Sequence, residues 1–347
     1  MAGVRARGEE IRRFILDNAK KHPTDLANLT AQNFGISRQA AIKHLKKLAE
    51  QGYLQVSGST RDRRYGPGQR LEWEKTYQLD GHLEEDAVWR KDIRGLLGDL
   101  PKNVLAIWQY GFTEMLNNAI DHSTGNSVEI QVHKSADSIE MIIYDDGEGI
   151  FRKIQRELRL DDEHHAVLEI AKGKLTTDPD RHSGEGIFFS SRVFDEFIIS
   201  SRGLMFSHRH GINLDFIIEN DVIDGTVVIM TLSNNSDRVL KNVFDSYSSG
   251  DNFDFTKTVV PVRMAKYGDE LLVSRSQAKR LMARLDRFQV VMLDFEEVET
   301  IGQAFADEVF RVFRNQHPEV KVIPTGMNDE VKRMIQRAEN PNGKHGP

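Results

Sequence analysis

The sequence is constrained most by an apolar helical pattern over residues 104–120 that carries Glu114 and Asn118 on one side. Apolar residues recur there with a period of about 3.6, as in a buried helix. Pro101 suits the first turn, because its missing N–H would have no partner there. Glu114, Asn118 and His122 follow at intervals of four and therefore share one face. A carboxylate and an amide aligned in this way can polarise a water molecule and bind Mg²⁺, although ordinary solvated helix faces show the same spacing.

A glycine turn follows the next β-rich run. The run over residues 140–144 leads into Asp145, Asp146, Gly147 and Gly149. An aspartate at the end of a strand can accept a hydrogen bond from an exocyclic amine, which would distinguish adenine from guanine. A Gly-x-Gly triplet alone is a weak signal, since many such triplets are ordinary turns.

A second glycine turn, with Gly184 and Gly186, opens an apolar helix. Such a turn lets backbone N–H groups approach phosphate oxygens, and a helix N-terminus favours an anion. Gly225 and Thr226 then begin a later strand. The ordered set of these motifs is much more specific than any one of them.

Residues 91–232 resemble the GHKL-type ATP-binding domain shared by gyrase, histidine kinases and MutL, and this resemblance rests on the ordered set. Thr-Glu-x-x-x-Asn-Ala-x-x-His from Thr113 and Gly-x-Gly-Ile-Phe-Phe from Gly184 are most similar to the anti-sigma-factor serine kinases. The resemblance implies an α/β sandwich with a mixed sheet (the Bergerat type) over residues 101–235, with ATP and Mg²⁺ as cofactors.

The resemblance also implies roles for individual residues. Glu114 would orient or activate the attacking water, Asn118 would coordinate Mg²⁺, and Asp145 would bind the adenine amino group. Thr226 would support Asp145 and the adenine. The remaining expected nucleotide contacts are Gly147, Gly149, Lys174, Gly184 and Gly186.

A mobile lid is implied between the two glycine turns, and it would include Lys172 and Lys174. The sequence departs from the family pattern at Asp146, where asparagine is more usual, and at Ser183, which often is glycine.

The composition excludes several classes of protein. The 347 residues suffice for two or three domains, and the absence of cysteine excludes disulfides and thiolate metal sites. We see no apolar run near the roughly 20 residues needed to span a bilayer and no signal-peptide pattern, so we expect a soluble cytoplasmic protein with no membrane partner. Residues 1–80 hold 15 Lys and Arg against 9 Asp and Glu, whereas the whole chain has a net charge of −6. This asymmetry indicates an N-terminal region that binds nucleic acid.

Residues 1–80 resemble a winged helix-turn-helix, an α+β fold of bacterial transcription regulators. Helical patterns over residues 9–21, 24–34 and 38–51 are followed by strand patterns over residues 53–56 and 73–77. The helix that begins after Ser37 would enter the major groove of double-stranded DNA. An interaction module with a solvated basic face is the alternative.

The expected DNA contacts divide into three groups. Arg38 and Gln39 would read base edges, and Lys43, Lys46 and Lys47 would reach phosphates. The wing would contribute Arg61, Arg63 and Arg64.

The C-terminal part follows a polar boundary at residues 233–254 and alternates strands with helices over residues 255–340. The stretch over residues 290–304 resembles the STAS domains of anti-sigma-factor antagonists, whose helix begins with a phosphorylatable serine. Gly302, Gln303 and Ala304 occupy that place here, so we expect no phosphorylation switch.

The sequence therefore predicts a multi-domain α/β regulator: a winged helix, a helical connector over residues 81–100, the ATP-binding domain and a STAS-like domain. Mg-ATP would drive a conformational change that alters DNA binding or the docking of a STAS or sigma-factor-like partner. A homodimer is implied by the resemblance. The alternatives are a serine kinase that acts on a partner STAS domain and a nucleotide sensor without enzymatic activity.

Overall fold

The computed structural model describes residues 2–50, 52–59, 62–68, 71–175, 184–210, 214–219, 222–248, 255–266 and 270–339. The chain divides into two compact units. The first comprises residues 1–74, 131–141 and 233–235, and the second comprises residues 75–130, 142–232 and 236–347.

The first unit contains three helices and a two-stranded antiparallel sheet. The elements are α1 (Ala2–Asn18), α2 (Leu26–Phe34), α3 (Arg38–Glu50), β1 (Leu54–Ser57) and β2 (Arg64–Pro67). Apolar side chains from all five elements form its core, with Ile15, Leu26 and Leu45 fully buried. The predicted helices are therefore present.

The predicted hairpin is wrong in its second strand. β1 pairs with β2, which lies within the stretch predicted to be a loop, and Leu54 opposes Pro67. Residues 73–77 instead belong to β3 (Leu71–Gln78), which joins a larger sheet. The basic and glycine-rich composition of residues 58–68 concealed a strand whose single buried side chain is Tyr65.

Seven strands form the larger sheet in the order β3-β4-β5-β9-β6-β7-β8. After β3 these are β4 (Ser127–Lys134), β5 (Ser138–Asp145), β6 (Glu196–Ser201), β7 (Leu204–Arg209), β8 (Leu214–Glu219) and β9 (Thr226–Ser233). Burial alternates along β4, β5 and β9, as expected for strands with one face against a core. The β6–β7, β6–β9 and β7–β8 pairs are antiparallel.

Strand β7 follows a hairpin turn that has an unusual sequence. Arg202 and Gly203 connect β6 to β7, and both have positive φ angles, of 50° and 86°. Two consecutive positive φ angles define a type I′ hairpin turn, which usually carries Asn-Gly or Asp-Gly.

Helices accompany the sheet in the second unit. They are α4 (Glu85–Val88), a π-helical turn at Trp89–Ile93, α5 (Arg94–Leu97), α6 (Lys102–His122), α7 (Ile150–Leu158), α8 (Glu163–Lys172), α9 (Gly186–Val193) and α10 (Leu240–Tyr247). The first three segments form one continuous helical run. The predicted buried helix is α6, in which Val104, Trp108 and Phe112 are buried. No helix in the described part of the chain is both long and apolar enough to cross a membrane.

Helix α10 lies in the region predicted to be a polar domain boundary. The Phe244 ring packs edge-on against Tyr110 of α6 and Phe189 of α9. Tyr247 contacts Phe188 in the same way. These aromatic residues are few among the many Asn, Ser and Asp residues of this region, so its composition indicated a domain boundary. The chain instead forms a helix there that packs against α6 and α9.

The C-terminal part of the second unit is a parallel sheet of three strands with helical crossovers. Its elements are β10 (Lys257–Pro261), α11 (Arg275–Met282), β11 (Val290–Asp294), α12 (Gln303–Asp307), a π-helical turn at Glu308–Phe313, α13 (Arg314–Gln316), β12 (Lys321–Thr325) and α14 (Asp329–Glu339). Residues 270–274 form no strand; Leu272 makes an isolated bridge with Ile301. Gly302 is the N-cap residue of α12, so this helix begins at the stretch compared above with the serine of STAS domains.

Candidate functional site

A cavity of about 270 Å³ lies among α6, α7, α8, α9 and the strands β5, β6 and β9. Its wall combines polar groups from α6 and from the glycine turns with apolar groups from the sheet. Glu114, Asn118, His122, Asp145, Gly149, Lys153, Gly184, Gly186 and Thr226 line it, together with Ile143, Ile150, Ile154, Ile170, Leu175, Ile199 and Val228. The sequence motifs thus meet in one place.

Helix α6 supplies one polar side of the cavity. Glu114, Asn118 and His122 all line it, as their spacing on one helix face requires. The pKa of Tyr110, one turn before Glu114, is raised well above its usual range, first by burial and then by the charges of Glu114 and Glu185. Glu114 thus lies in the cavity wall near a second carboxylate, Glu185, and near a buried phenol that stays protonated.

The N-terminus of α9 faces the same region. Gly184 has a φ of +70°, and a Cβ atom at Gly186 would collide with the Glu114 carboxylate. A side chain at position 186 would therefore displace the Glu114 carboxylate from its place beside the start of α9. Because the first N–H groups of a helix have no partner within it, this end can receive an anion.

Asp145 lines the cavity at the end of β5. Its side chain is 7% exposed, and burial raises its pKa to about 6. The N–H of Gly147 donates to Asp145 Oδ1 over 3.0 Å, and the Thr226 hydroxyl also bonds this carboxylate. Thr226 Oγ1 in turn accepts the N–H of Ile150 at 3.0 Å. Thr226 therefore links the buried carboxylate to the start of α7.

Close backbone approaches explain three glycines around Asp145. A Cβ atom at Gly147 would collide with the Ser123 carbonyl, and one at Gly225 with the carbonyl of Asp145 itself. Gly149 has a φ of +91° and leaves no room beside Ser201. The glycine turn is thus packed against the end of α6 and the start of β9.

Asp146 has a structural role that the sequence did not reveal. Its carboxylate accepts the N–H groups of Asn126 and Ser127, at 2.8 and 2.9 Å, and the Ser127 hydroxyl. These hydrogen bonds, chiefly the one from the Ser127 backbone, lower its pKa. All three contacts need an acceptor, and a carboxylate offers one at each oxygen, so these hydrogen bonds account for aspartate at this position.

Lys153 is a cavity residue that sequence reasoning missed. Its ammonium group donates to the His122 carbonyl at 2.9 Å, at the C-terminal end of α6. It follows Ile150 and precedes Ile154 at helical spacing on α7, and all three line the cavity. That spacing was the available signal.

Lys174 lies outside the cavity wall, although it was predicted to bind the nucleotide. Its ammonium group donates to the Arg287 carbonyl at 3.2 Å and lies 5.1 Å from the centre of the Phe288 ring. Lys172, predicted to belong to the mobile lid, is instead a buried residue at the end of α8. Residues 176–183, which include Ser183, lie outside the described residues.

The predicted DNA contacts lie in the first unit. Ser37 caps α3, since its hydroxyl accepts the N–H of Ala40 at 3.1 Å. The first turn of α3 exposes Arg38 and Gln39, and the same helix exposes Lys43, Lys46 and Lys47. Arg63 and Arg64 are exposed at β2, whereas Arg61 lies outside the described residues.

The described residues contain no group of three or more His, Asp or Glu side chains that could hold a metal ion. A Mg²⁺ ion commonly needs only one or two protein oxygens, because phosphates and water complete its octahedron. The amide nitrogen of Asn118 lies 4.0 Å from Met115 Sδ, which leaves the amide oxygen for a cation. Asn118 and Glu114 therefore fit such a nucleotide-bound ion.

Comparison with known proteins supports this architecture. Residues 85–207 match the histidine kinase-like ATPase domain family. Residues 277–332 match a STAS-like domain of unknown function (DUF4325). A search among curated proteins gave no match. Residues 85–207 are therefore similar to a histidine kinase-like ATPase domain, and residues 277–332 are similar to a STAS-like domain.

Proposed function

We propose that the chain is a regulator that binds Mg-ATP in the cavity and hydrolyses it slowly. The observation that carries this proposal is the convergence of Asp145, the α9 N-terminus and Glu114 on one cavity. The same cavity thus offers a base-binding group, an anion-binding group and a carboxylate for water activation, the three groups that ATP hydrolysis requires.

The adenine ring is proposed to occupy the end of the cavity beside Asp145. Ile143, Ile199 and Val228 supply apolar surface for the base. The Asp145 carboxylate accepts a hydrogen bond from the adenine amino group, whereas it would face the carbonyl oxygen of guanine. Since a buried acceptor without a donor is costly, the site should select adenine.

The phosphates are proposed to lie at the N-terminus of α9. Gly184 and Gly186 line this part of the cavity, and their lack of side chains exposes the N–H groups. Asn118 would hold the Mg²⁺ ion, which would neutralise charge on the phosphates when bound. The ammonium group of Lys153 adds a positive charge to the wall.

Glu114 is proposed to act as the general base. It lies on the α6 face that lines the cavity, and Gly186 packs directly against its carboxylate. A carboxylate held beside the phosphate-binding turn can accept a proton from a water molecule and orient it for attack.

Replacing Glu114 with glutamine keeps its shape and removes the base. We expect ATP turnover to fall by about 100-fold or more, while ATP affinity changes little. Turnover is measured by phosphate release, and affinity by calorimetry. Glu196→Gln makes the same charge change on β6, where Glu196 pairs with Arg209, and should turn over ATP normally.

Equal turnover by Glu114→Gln and the wild type would contradict the assigned role. Transfer of labelled phosphate to a protein, instead of its release, would favour the kinase alternative.

Replacing Asp145 with asparagine should separate binding from stability. The pKa of Asp145 in the folded state, about 6, lies above the ordinary carboxyl value. Protonation of Asp145 therefore stabilises the fold fully below about pH 4, and this stabilisation is lost as the pH rises through 6. At pH 7.5 the buried charge is a cost, and Asp145→Asn should raise the free energy of unfolding by on the order of 2 kcal/mol. The same change should weaken ATP binding by about 10-fold or more.

Asp146→Asn is the matched comparison, because the pKa of Asp146 is lowered. Its ionised form stabilises the fold above the ordinary carboxyl pKa, and this contribution is lost as the pH falls through the lowered value. At pH 7.5 the variant should lose stability, by about 1 kcal/mol or less, and bind ATP nearly normally. Denaturant unfolding and calorimetry measure both quantities, and a destabilised Asp145→Asn with normal affinity would refute the assignment.

We also propose that the first unit binds double-stranded DNA as a winged helix. Three helices followed by a hairpin, with a capped and exposed cationic α3, support this proposal. The excess of Lys and Arg over residues 1–80 suits a phosphate backbone. In the second unit, the helical run that follows β3 packs on α6 through Trp89 and Phe112, whose ring centres lie 5.5 Å apart.

The double variant Lys43→Ala, Lys46→Ala tests the DNA-binding proposal. We expect weaker binding to mixed-sequence duplex DNA and a salt dependence whose slope falls by about 2, one for each lost phosphate contact. Fluorescence anisotropy over a range of salt concentrations measures both. Lys102→Ala, Lys332→Ala changes the charge equally outside the first unit and should bind normally. Identical behaviour of the two double variants would favour a protein-interaction module.

A further inference from the structure

Lys172 is a fully buried cation whose hydrogen bonds join two domains. It ends α8 and is 1% exposed. Its ammonium group donates to Glu169 Oε1 at 2.6 Å and to the carbonyls of Arg280 and Ala283, each at 3.0 Å. An ammonium group has three N–H donors, so each one has an acceptor. Both carbonyls belong to the C-terminal end of α11 in the STAS-like domain, where helices attract cations.

Glu169 completes this buried charge cluster. It is 3% exposed, and Arg284 of the STAS-like domain approaches its second oxygen at 3.5 Å. His165, one turn earlier on α8, lies 3.6 Å from the first oxygen. Burial alone would raise the pKa of Glu169, but the adjacent Lys172 and His165 hold it below its usual range. The cluster thus keeps its charges paired across the boundary between the two domains.

The backbone after Lys172 is held by the same domain. The Thr258 hydroxyl of β10 donates to the Lys172 carbonyl at 2.7 Å. Gly173, with a φ of +81°, fits against the Phe255 ring where a Cβ atom would come within 2.7 Å of it. The Arg287 guanidinium donates a hydrogen bond to the Lys174 carbonyl at 2.9 Å. In return, the Lys174 ammonium group donates a hydrogen bond to the Arg287 carbonyl. Contacts with the STAS-like domain therefore hold residues 172–174 through both their side chains and their backbone.

The segment fixed in this way also forms part of the cavity wall. Ile170 and Leu175 both line the cavity, on either side of residues 172–174. The N–H of Leu175 donates to the Gly184 carbonyl at 2.9 Å, and Gly184 belongs to the glycine turn before α9. The contacts with the STAS-like domain therefore lie within a few residues of the proposed phosphate site.

We propose that the STAS-like domain is a positioning element of the nucleotide site, acting through Thr258, Lys172 and Arg287 on the wall formed by Ile170, Leu175 and Gly184. This inference rests on the proposed function, because it concerns affinity for the nucleotide. Coupling between sites is reciprocal. Whatever stabilises this junction tightens nucleotide binding, and a bound nucleotide stabilises the junction.

Two variants on the STAS-like side test the proposal without changing the cavity. A Lys172 variant would strand the buried Glu169 carboxylate and risks losing the fold, so it is unsuitable. Thr258→Val removes one hydroxyl, and Arg287→Ala removes one exposed side chain.

Each variant has a matched control. Thr325→Val removes a hydroxyl that bonds only within the STAS-like sheet, to the Leu293 carbonyl at 3.4 Å. Arg333→Ala removes an equal charge from α14, where Arg333 pairs with Glu330.

The affinity is measured by calorimetric titration of the full chain with a non-hydrolysable ATP analogue and Mg²⁺. The titration is run well below the unfolding temperature of each variant. We expect Thr258→Val to weaken binding by about 5-fold or more, Arg287→Ala to weaken it less, and both controls to bind as the wild type does. Hydrogen exchange of the Leu175 amide, measured without nucleotide, should be faster in Thr258→Val than in Thr325→Val.

The possible outcomes separate this inference from the proposed function. If the wild type binds and all variants bind equally, or if Thr258→Val and Thr325→Val weaken binding equally, the inference is overturned and the proposed function stands. Weaker binding by Thr258→Val with unchanged exchange at Leu175 also overturns it, because the route through α8 fails. If the wild type does not bind, the proposed function falls, and the exchange comparison alone decides whether the STAS-like domain positions the cavity wall.

Discussion

The burial of the Asp145 carboxylate is the constraint on which the site depends. A charge in an apolar cavity needs hydrogen-bond donors, and the Gly147 N–H and the Thr226 hydroxyl supply them. These donors reach it only because Gly147 and Gly225 let three chain segments meet without a side chain between them. Even so, the pKa of about 6 shows that solvation is incompletely replaced. The carboxylate is thus held ready for a donor that a ligand can bring, at the expense of stability.

The second constraint is the crowding of Glu114 by the start of α9. Because position 186 holds glycine, an acidic side chain and a helix N-terminus share one edge of the cavity. The negative charges of Glu114 and Glu185, which raise the pKa of Tyr110, lie beside N–H groups that attract anions. A polyanion that carries a bound cation suits both groups, because its anionic oxygens accept from the N–H groups and its cation offsets repulsion from the carboxylates. Mg-ATP has that chemistry.

Much of this site follows from sequence spacing, because helix and turn geometry are local. The face shared by Glu114 and Asn118 and the glycine turns at Gly147 and Gly184 needed no tertiary information. The environment of Lys174 did need it, since its partner Arg287 is far away in the sequence. Strand β2 and helix α10 were missed for a related reason. The burial of Tyr65 in β2 and the ring contacts of Phe244 in α10 stabilise segments whose composition is typical of loops.

Together these features support the proposal of a nucleotide cavity with one wall positioned by the STAS-like domain, in a chain whose N-terminal unit has an exposed cationic helix. The most direct test of nucleotide binding is a calorimetric comparison of ATP and GTP binding to the full chain in the presence of Mg²⁺. We expect ATP to bind at one site and GTP to show no measurable binding, because Asp145 would oppose the guanine carbonyl. Failure of both nucleotides to bind, or equal affinity for the two, would contradict it.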